Sequence, residues 1–186
     1  MWGRCGLNGS GHWRAWMCEE ARRELERAAS ASHPNETGGI LVGVHTGGAR
    51  PWIVHAVEIP SSNSGSAHYV VPPGRRRKAV EGLRKQHDPR LGYLGEWHSH
   101  PLNVGPSPTD LDSIRQIASD RNAGCARPVL LVARRSGDAY LLDALQVDRH
   151  SLRLLALIAA GPLPSTDTPP QHRRPRRRIR TTVSRR

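Results

Sequence analysis

The sequence predicts an α/β (α+β) domain: a mixed β-sheet with helices packed on it. Three observations support this. Strand-like and helix-like stretches interleave along the chain, several strands are joined by hairpin turns rather than by crossover helices, and the apolar runs stay short. A doubly wound parallel sheet would lack the hairpins, and a membrane span would need a longer apolar run. At 186 residues and 37% hydrophobic content, the chain fits one domain with flanking tails.

Met1 to Arg14 is Gly-rich, and residues 1–15 read as an irregular leader, or as an over-extended start with Met17 as the true beginning. Cys5, His12 and Cys18 have metal-ligand chemistry, but their spacing matches no zinc pattern. Trp16 to Ala31 is rich in Ala, Glu, Arg and Leu. Its apolar stripe of Cys18, Ala21, Leu25, Ala28 and Ala29 predicts a helix, ended by His33-Pro34-Asn35. Ile40 to Val44 is a buried strand, and Gly38-Gly39 before it marks a bulge or the close approach of another backbone. Thr46-Gly47-Gly48 turns into a strand at Trp52 to Ile59. Ser61 to Ser66 is a polar loop, Ala67 to Val71 a further strand, and Arg75 to Gln86 an amphipathic helix with Ala79, Val80 and Leu83 inward. Arg75-Arg76-Arg77-Lys78 puts a basic cluster at the end of that helix which the dipole disfavours, either a solvated face or a surface for an acidic partner.

A strand beginning at Leu91 is expected to stop at Pro101. Thr109 to Asp120 is a helix, Pro128 to Ala133 a strongly apolar strand, and Arg134 to Asp138 a turn into a strand at Ala139 to Val147. Ser151 to Ala160 is helical by composition and ends at Gly161-Pro162. The domain is thus expected over 16–161, with 162–186 a disordered Arg/Pro-rich tail.

Charge follows the same division. The net charge is +12, but His172 to Arg186 holds eight arginines and no acid; subtracting those eight leaves +4 for the rest. The high pI belongs mostly to the tail. Arginines there offer electrostatic phosphate contacts, so a nucleic-acid-associated role is one alternative, though the tail has no aromatic residue for stacking. Three widely spaced cysteines suggest neither a disulfide framework nor a CxxC zinc site, and no apolar signal region precedes the domain. A reduced cytoplasm is the expected location, and no membrane partner is expected.

The chemistry concentrates in Gly95-Glu96-Trp97-His98-Ser99-His100-Pro101, followed by Ser107-Pro108-Thr109-Asp110. Histidines at i and i+2 of a strand share one face. With Asp110 they make two imidazoles and a carboxylate, a set suited to zinc with its fourth position open. The local alternative is an ordinary helix start, with Ser107 as N-cap, Pro108 at N1 and Asp110 reaching back as the N3 partner. Glu96 lies on the same strand face as the histidines, so spacing alone favours it as a general base.

Taken with Glu36-Thr37-Gly38-Gly39-Ile40-Leu41-Val42-Gly43 far upstream, this pattern resembles the JAMM (MPN+, JAB1/Mov34) metalloprotease family. The phrase Tyr93 to Pro101 is most similar to its bacterial branch, which includes isopeptidase-like components of CBASS antiphage operons and of other ubiquitin-like conjugation operons. Nine residues separate His100 from Asp110, one fewer than the commonest family pattern, and the difference falls in a loop. The resemblance implies a JAB/MPN (cytidine-deaminase-like) architecture: a curved sheet with helices on both sides and the zinc at a strand end beside a helix N-terminus. It implies Zn2+ held by His98, His100 and Asp110, with Glu36, not Glu96, as the base and Ser107 stabilising the oxyanion. The implied substrate is an amide at the C-terminal glycine of a ubiquitin-like protein or its conjugate, a tail that would lie extended against a sheet edge. Metal-free members of the fold act as scaffolds with broken ligand sets; here every ligand position is present.

Overall fold

The computed structural model describes residues 13–47, 50–59, 71, 73–148 and 151–163. Seven strands and three helices follow in the order β1 (Arg14–Cys18), α1 (Glu19–Ser32), β2 (Gly38–Thr46), β3 (Arg50–Glu58), α2 (Pro73–Gln86), β4 (Gly92–His100), α3 (Pro108–Ser119), β5 (Val129–Ser136), β6 (Ala139–Asp148) and β7 (Ser151–Ala160). A 3₁₀ turn at Arg121–Ala123 follows α3. The sheet is mixed, as expected, but it closes into a barrel in the order β1-β3-β2-β4-β5-β6-β7.

Two elements differ from their expected form, and together they close the barrel. The helix expected from Trp16 begins only at Glu19, because Arg14–Cys18 is a strand that takes in two residues of the expected leader. The helix expected at Ser151 to Ala160 is a strand, β7, antiparallel to β6 and parallel to β1 from Arg14↔Ala156 to Cys18↔Ala160. Leu and Ala favour helix locally, but two ladders of backbone hydrogen bonds, one to a segment about 140 positions away, override that preference. The expected strand at 67–71 lies outside the described residues except for Val71, which is buried. Residues 1–12, with Cys5 and His12, and the tail from 164 onward lie outside them too. Among the described residues, no helix is long and apolar enough to cross a membrane.

Alternation along the strands separates two faces. Leu41, Ile53, Trp97, Leu131, Ala133, Ala144 and Leu155 point inward and share one core with Ala21, Leu25 and Ala29 of α1. Those three helix positions are four apart, so they form one stripe. Outside the barrel, α2 packs Val80 against Ile40, Val42 and Leu91, and α3 packs Ile114 against Leu130, Val132 and Val147. The outer face of β4 thus lies between the two outer helices.

Gly39 is where β2 meets β3 most closely. A Cβ there would stand 1.8 Å from the Val57 carbonyl oxygen, so the close approach, not a bulge, explains the glycine. The neighbouring residue, Gly38, pairs with His98. Gly39→Ala is expected to destabilise the fold by about 1–3 kcal/mol or more, read as a lower urea midpoint.

Candidate metal centre

His98 and His100 close β4 on its outer face, both buried. Strand periodicity puts them side by side, with Nε2 atoms 3.1 Å apart. The loop after Pro101 returns to α3, whose first turn carries Asp110 between them. Its Oδ1 lies 3.4 Å from His98 Nε2 and its Oδ2 3.7 Å from His100 Nε2. The three donors lie within 4.8 Å of one another.

The helix-start reading of Ser107-x-x-Asp110 is borne out, and it leaves one Asp110 oxygen for a ligand role. The Ser107 N–H donates to Asp110 Oδ2 at 2.6 Å, and Ser107 Oγ accepts from the Asp110 N–H at 3.2 Å, a complete capping box. The box uses one carboxylate oxygen and leaves Oδ1 toward His98. It also uses the Ser107 hydroxyl as an acceptor, which leaves its proton free to donate elsewhere.

Tautomer and charge complete the set. His100 Nδ1 lies 2.8 Å from the Val104 carbonyl. A carbonyl only accepts, so this contact is a hydrogen bond with the proton on Nδ1, the arrangement in which Nε2 is the nitrogen that faces a metal. Burial opposes ionisation of Asp110, but His98 and both Ser107 groups outweigh it and hold the carboxyl well below the usual carboxylate range.

These residues fit a divalent ion. Ligands about 2.0–2.1 Å from a tetrahedral zinc stand about 3.3 Å apart, close to the 3.1 and 3.4 Å measured between His98 and its two neighbours. Two nitrogens meeting at 3.1 Å need a proton or a cation between them. The donor set, two imidazole nitrogens and one carboxylate, is three ligands, one short of a tetrahedral ion's four.

Glu36 is half-buried and lies two residues before the start of β2. The Ser99 N–H donates to the Thr37 carbonyl at 2.7 Å, and the Thr37 N–H donates to Ser99 Oγ at 3.0 Å. These bonds tie the residue after Glu36 to the residue before His100, so the segment that carries Glu36 runs beside the histidine strand end. Glu96 shares the histidine face, yet its carboxylate is engaged elsewhere. It accepts from the Tyr93 hydroxyl at 3.3 Å, and the buried Arg76 of α2 stacks 4.7 Å over the Tyr93 ring. Burial pushes the Glu96 carboxyl up to about 7, against the opposing pull of Tyr93, Arg76 and His98. A cleft of about 600 Å³ opens on that side, lined by Arg76, Arg77, Arg84, Tyr93 and Asn122, and contains none of the three candidate ligands.

The expected sheet edge beside the site is not found at β4. That strand pairs with β2 on one side and, through His100↔Arg134, with β5 on the other. Sequence reading also missed the Val104 carbonyl, because a backbone acceptor has no residue signature. It missed Arg134 and Asn103 as well; Arg134 was assigned to a turn, whereas β5 continues to Ser136.

Among solved structures, a Desulfitobacterium hafniense protein is similar in fold, with a TM-score of 0.61 at 19% identity over 80% of this chain and 94% of its own. A Salinibacter ruber protein follows at 0.50 and 18%, over 82% and 94%. A protein of Enterobacter hormaechei subsp. hoffmannii named CD-NTase/cGAS isopeptidase is 33% identical over 105 residues, which is 53% of this chain and 54% of that protein. The chain thus spans about half the length of this curated relative. The family of prokaryotic homologs of the JAB domain, Prok-JAB, matches residues 18–148, a span that includes His98, His100, Asp110, Glu36 and Ser107, and the chain belongs to that family.

Proposed function

We propose that this protein is a zinc-dependent isopeptidase that hydrolyses the amide joining the C-terminal glycine of a ubiquitin-like protein to its partner or extension. The observation that carries the reading is the convergence of His98, His100 and Asp110, whose donor atoms stand 3.1, 3.4 and 3.7 Å apart in pairs and offer three ligands to one ion. Zn2+ held there would lower the pKa of a water and polarise the scissile carbonyl. Glu36, whose neighbour Thr37 is bonded to Ser99 between the two histidines, takes the proton of the attacking water and passes it to the leaving amine. Ser107 donates its free hydroxyl proton to the developing oxyanion while its oxygen keeps the cap. Leu102 and Val104, 68% and 51% exposed on the loop between His100 and Ser107, offer apolar contact to the polypeptide beside the scissile bond.

The name of the Enterobacter relative, an isopeptidase, supports a protein conjugate as the substrate class. The purified full chain is expected to carry one zinc and to cleave a member of a panel of ubiquitin-like fusions. Cleavage should stop with chelator and return with added zinc. Cleavage that ignores the chelator, in a protein without zinc, would refute the proposal.

A further inference from the structure

We propose that Arg134 is a positioning residue for the metal centre. It holds the loop after β4 so that the Val104 carbonyl fixes the His100 ring with Nε2 turned to the metal. The inference rests on the metal-site reading above.

His100 and Arg134 are register partners across the parallel β4–β5 pair, so their side chains leave the same face of the sheet. The Arg134 guanidinium reaches two acceptors. Its Nε donates to Asp143 Oδ2 on β6 at 2.8 Å, and its Nη1 donates to Asn103 Oδ1 in the loop. Asp143 also borders the loop directly, since a Cβ at Gly105 would lie 3.5 Å from its Oδ2. The chain is therefore held at Asn103 and bounded at Gly105, on either side of Val104. The Val104 carbonyl accepts the His100 Nδ1–H at 2.8 Å. Arg134 and Asp143 side chains are each 27% exposed, so their ion pair adds little stability in itself. Its consequence is where it puts the loop. A guanidinium suits the task because its planar fork addresses two acceptors at once and stays protonated at any working pH; a single ammonium does neither as well.

Partners that orient a metal-ligating histidine are worth about 10–100-fold in metal affinity. The experiment compares the full chain with Arg134→Gln, Asn103→Ala and, as control, Arg22→Gln on the far side of α1. Zinc and cobalt dissociation constants are measured by chelator competition. The His100 ring tautomer is read by nitrogen NMR in metal-free protein, and thermal unfolding is recorded for each variant. Arg134→Gln and Asn103→Ala should bind zinc about 10–100-fold more weakly and lose the uniform Nδ1–H form. Arg22→Gln should change neither. Folded Arg134→Gln and Asn103→Ala proteins with native zinc affinity and an unchanged tautomer would overturn the proposal. Should Arg134→Gln not fold, Asn103→Ala removes the same tie from an exposed loop position. A native chain that binds no zinc defeats the metal-site reading instead, and the ring tautomer still decides the role of Arg134.

Discussion

Glu36→Gln is expected to lower amide cleavage by about 10²–10⁴-fold, the range a positioned general base contributes, while zinc content stays at the native level. Glutamine keeps the size of the side chain and its place at the head of β2 but accepts no proton. The matched variant is Glu96→Gln. In the strand Glu96 faces the same side as the histidines, yet its carboxylate accepts from the Tyr93 hydroxyl, whose ring lies under Arg76 of α2. Its replacement should leave cleavage within a few-fold of native. Single-turnover cleavage and metal analysis of both variants separate the two carboxylates. Retained cleavage by zinc-loaded Glu36→Gln would transfer the role away from Glu36.

Asp110 offers the second large effect, because its two oxygens do different things. Asp110→Asn keeps an oxygen able to accept the Ser107 N–H, so the helix start survives. It loses the anionic donor that faces His98. Zinc affinity is expected to fall by more than the ~100-fold upper range for loss of a mere outer partner. Asp110→Ala also loses the carboxylate that accepts the Ser107 N–H, while the Ser107 hydroxyl keeps its bond to the backbone N–H of residue 110, and should cost about a further 1 kcal/mol in the metal-free protein. The acid limb tests the same residue. The folded Asp110 carboxyl is depressed, so its stabilisation is complete above the unfolded value of about 4 and disappears as pH falls toward the folded value. Asp110→Asn should flatten that limb in urea titrations across acid pH. An Asp110→Ala protein that binds zinc like the native chain would end the metal assignment.

Both expectations draw on features legible before any fold was known. A period of two along a strand puts His98 and His100 on one face, whatever the rest of the chain does. The capping box is equally local, since its partners are three residues apart. Local rules also mark α1, whose stripe repeats every four residues, and the β2–β3 hairpin, whose turn shows its own glycines. Spacing alone does not separate Glu36 from Glu96. The family pattern points to Glu36, the Thr37–Ser99 bonds tie its neighbour to the histidine strand, and Glu96 accepts from Tyr93; the paired variants decide between them.

The residues themselves, then, determined a two-histidine strand end, an aspartate on a helix's first turn, and the order of most strands and helices. Each depends on contacts within a few positions of the chain. Only the tertiary structure decided that Arg14–Cys18 and Ser151–Ala160 are paired strands, that the sheet closes into a barrel, and that Arg134 of β5 reaches Asn103 beside the candidate site. Those depend on backbone groups and side chains far apart in sequence. Such pairs leave no periodic trace in either partner alone, and their hydrogen bonds outweigh local helix preference once the ends meet.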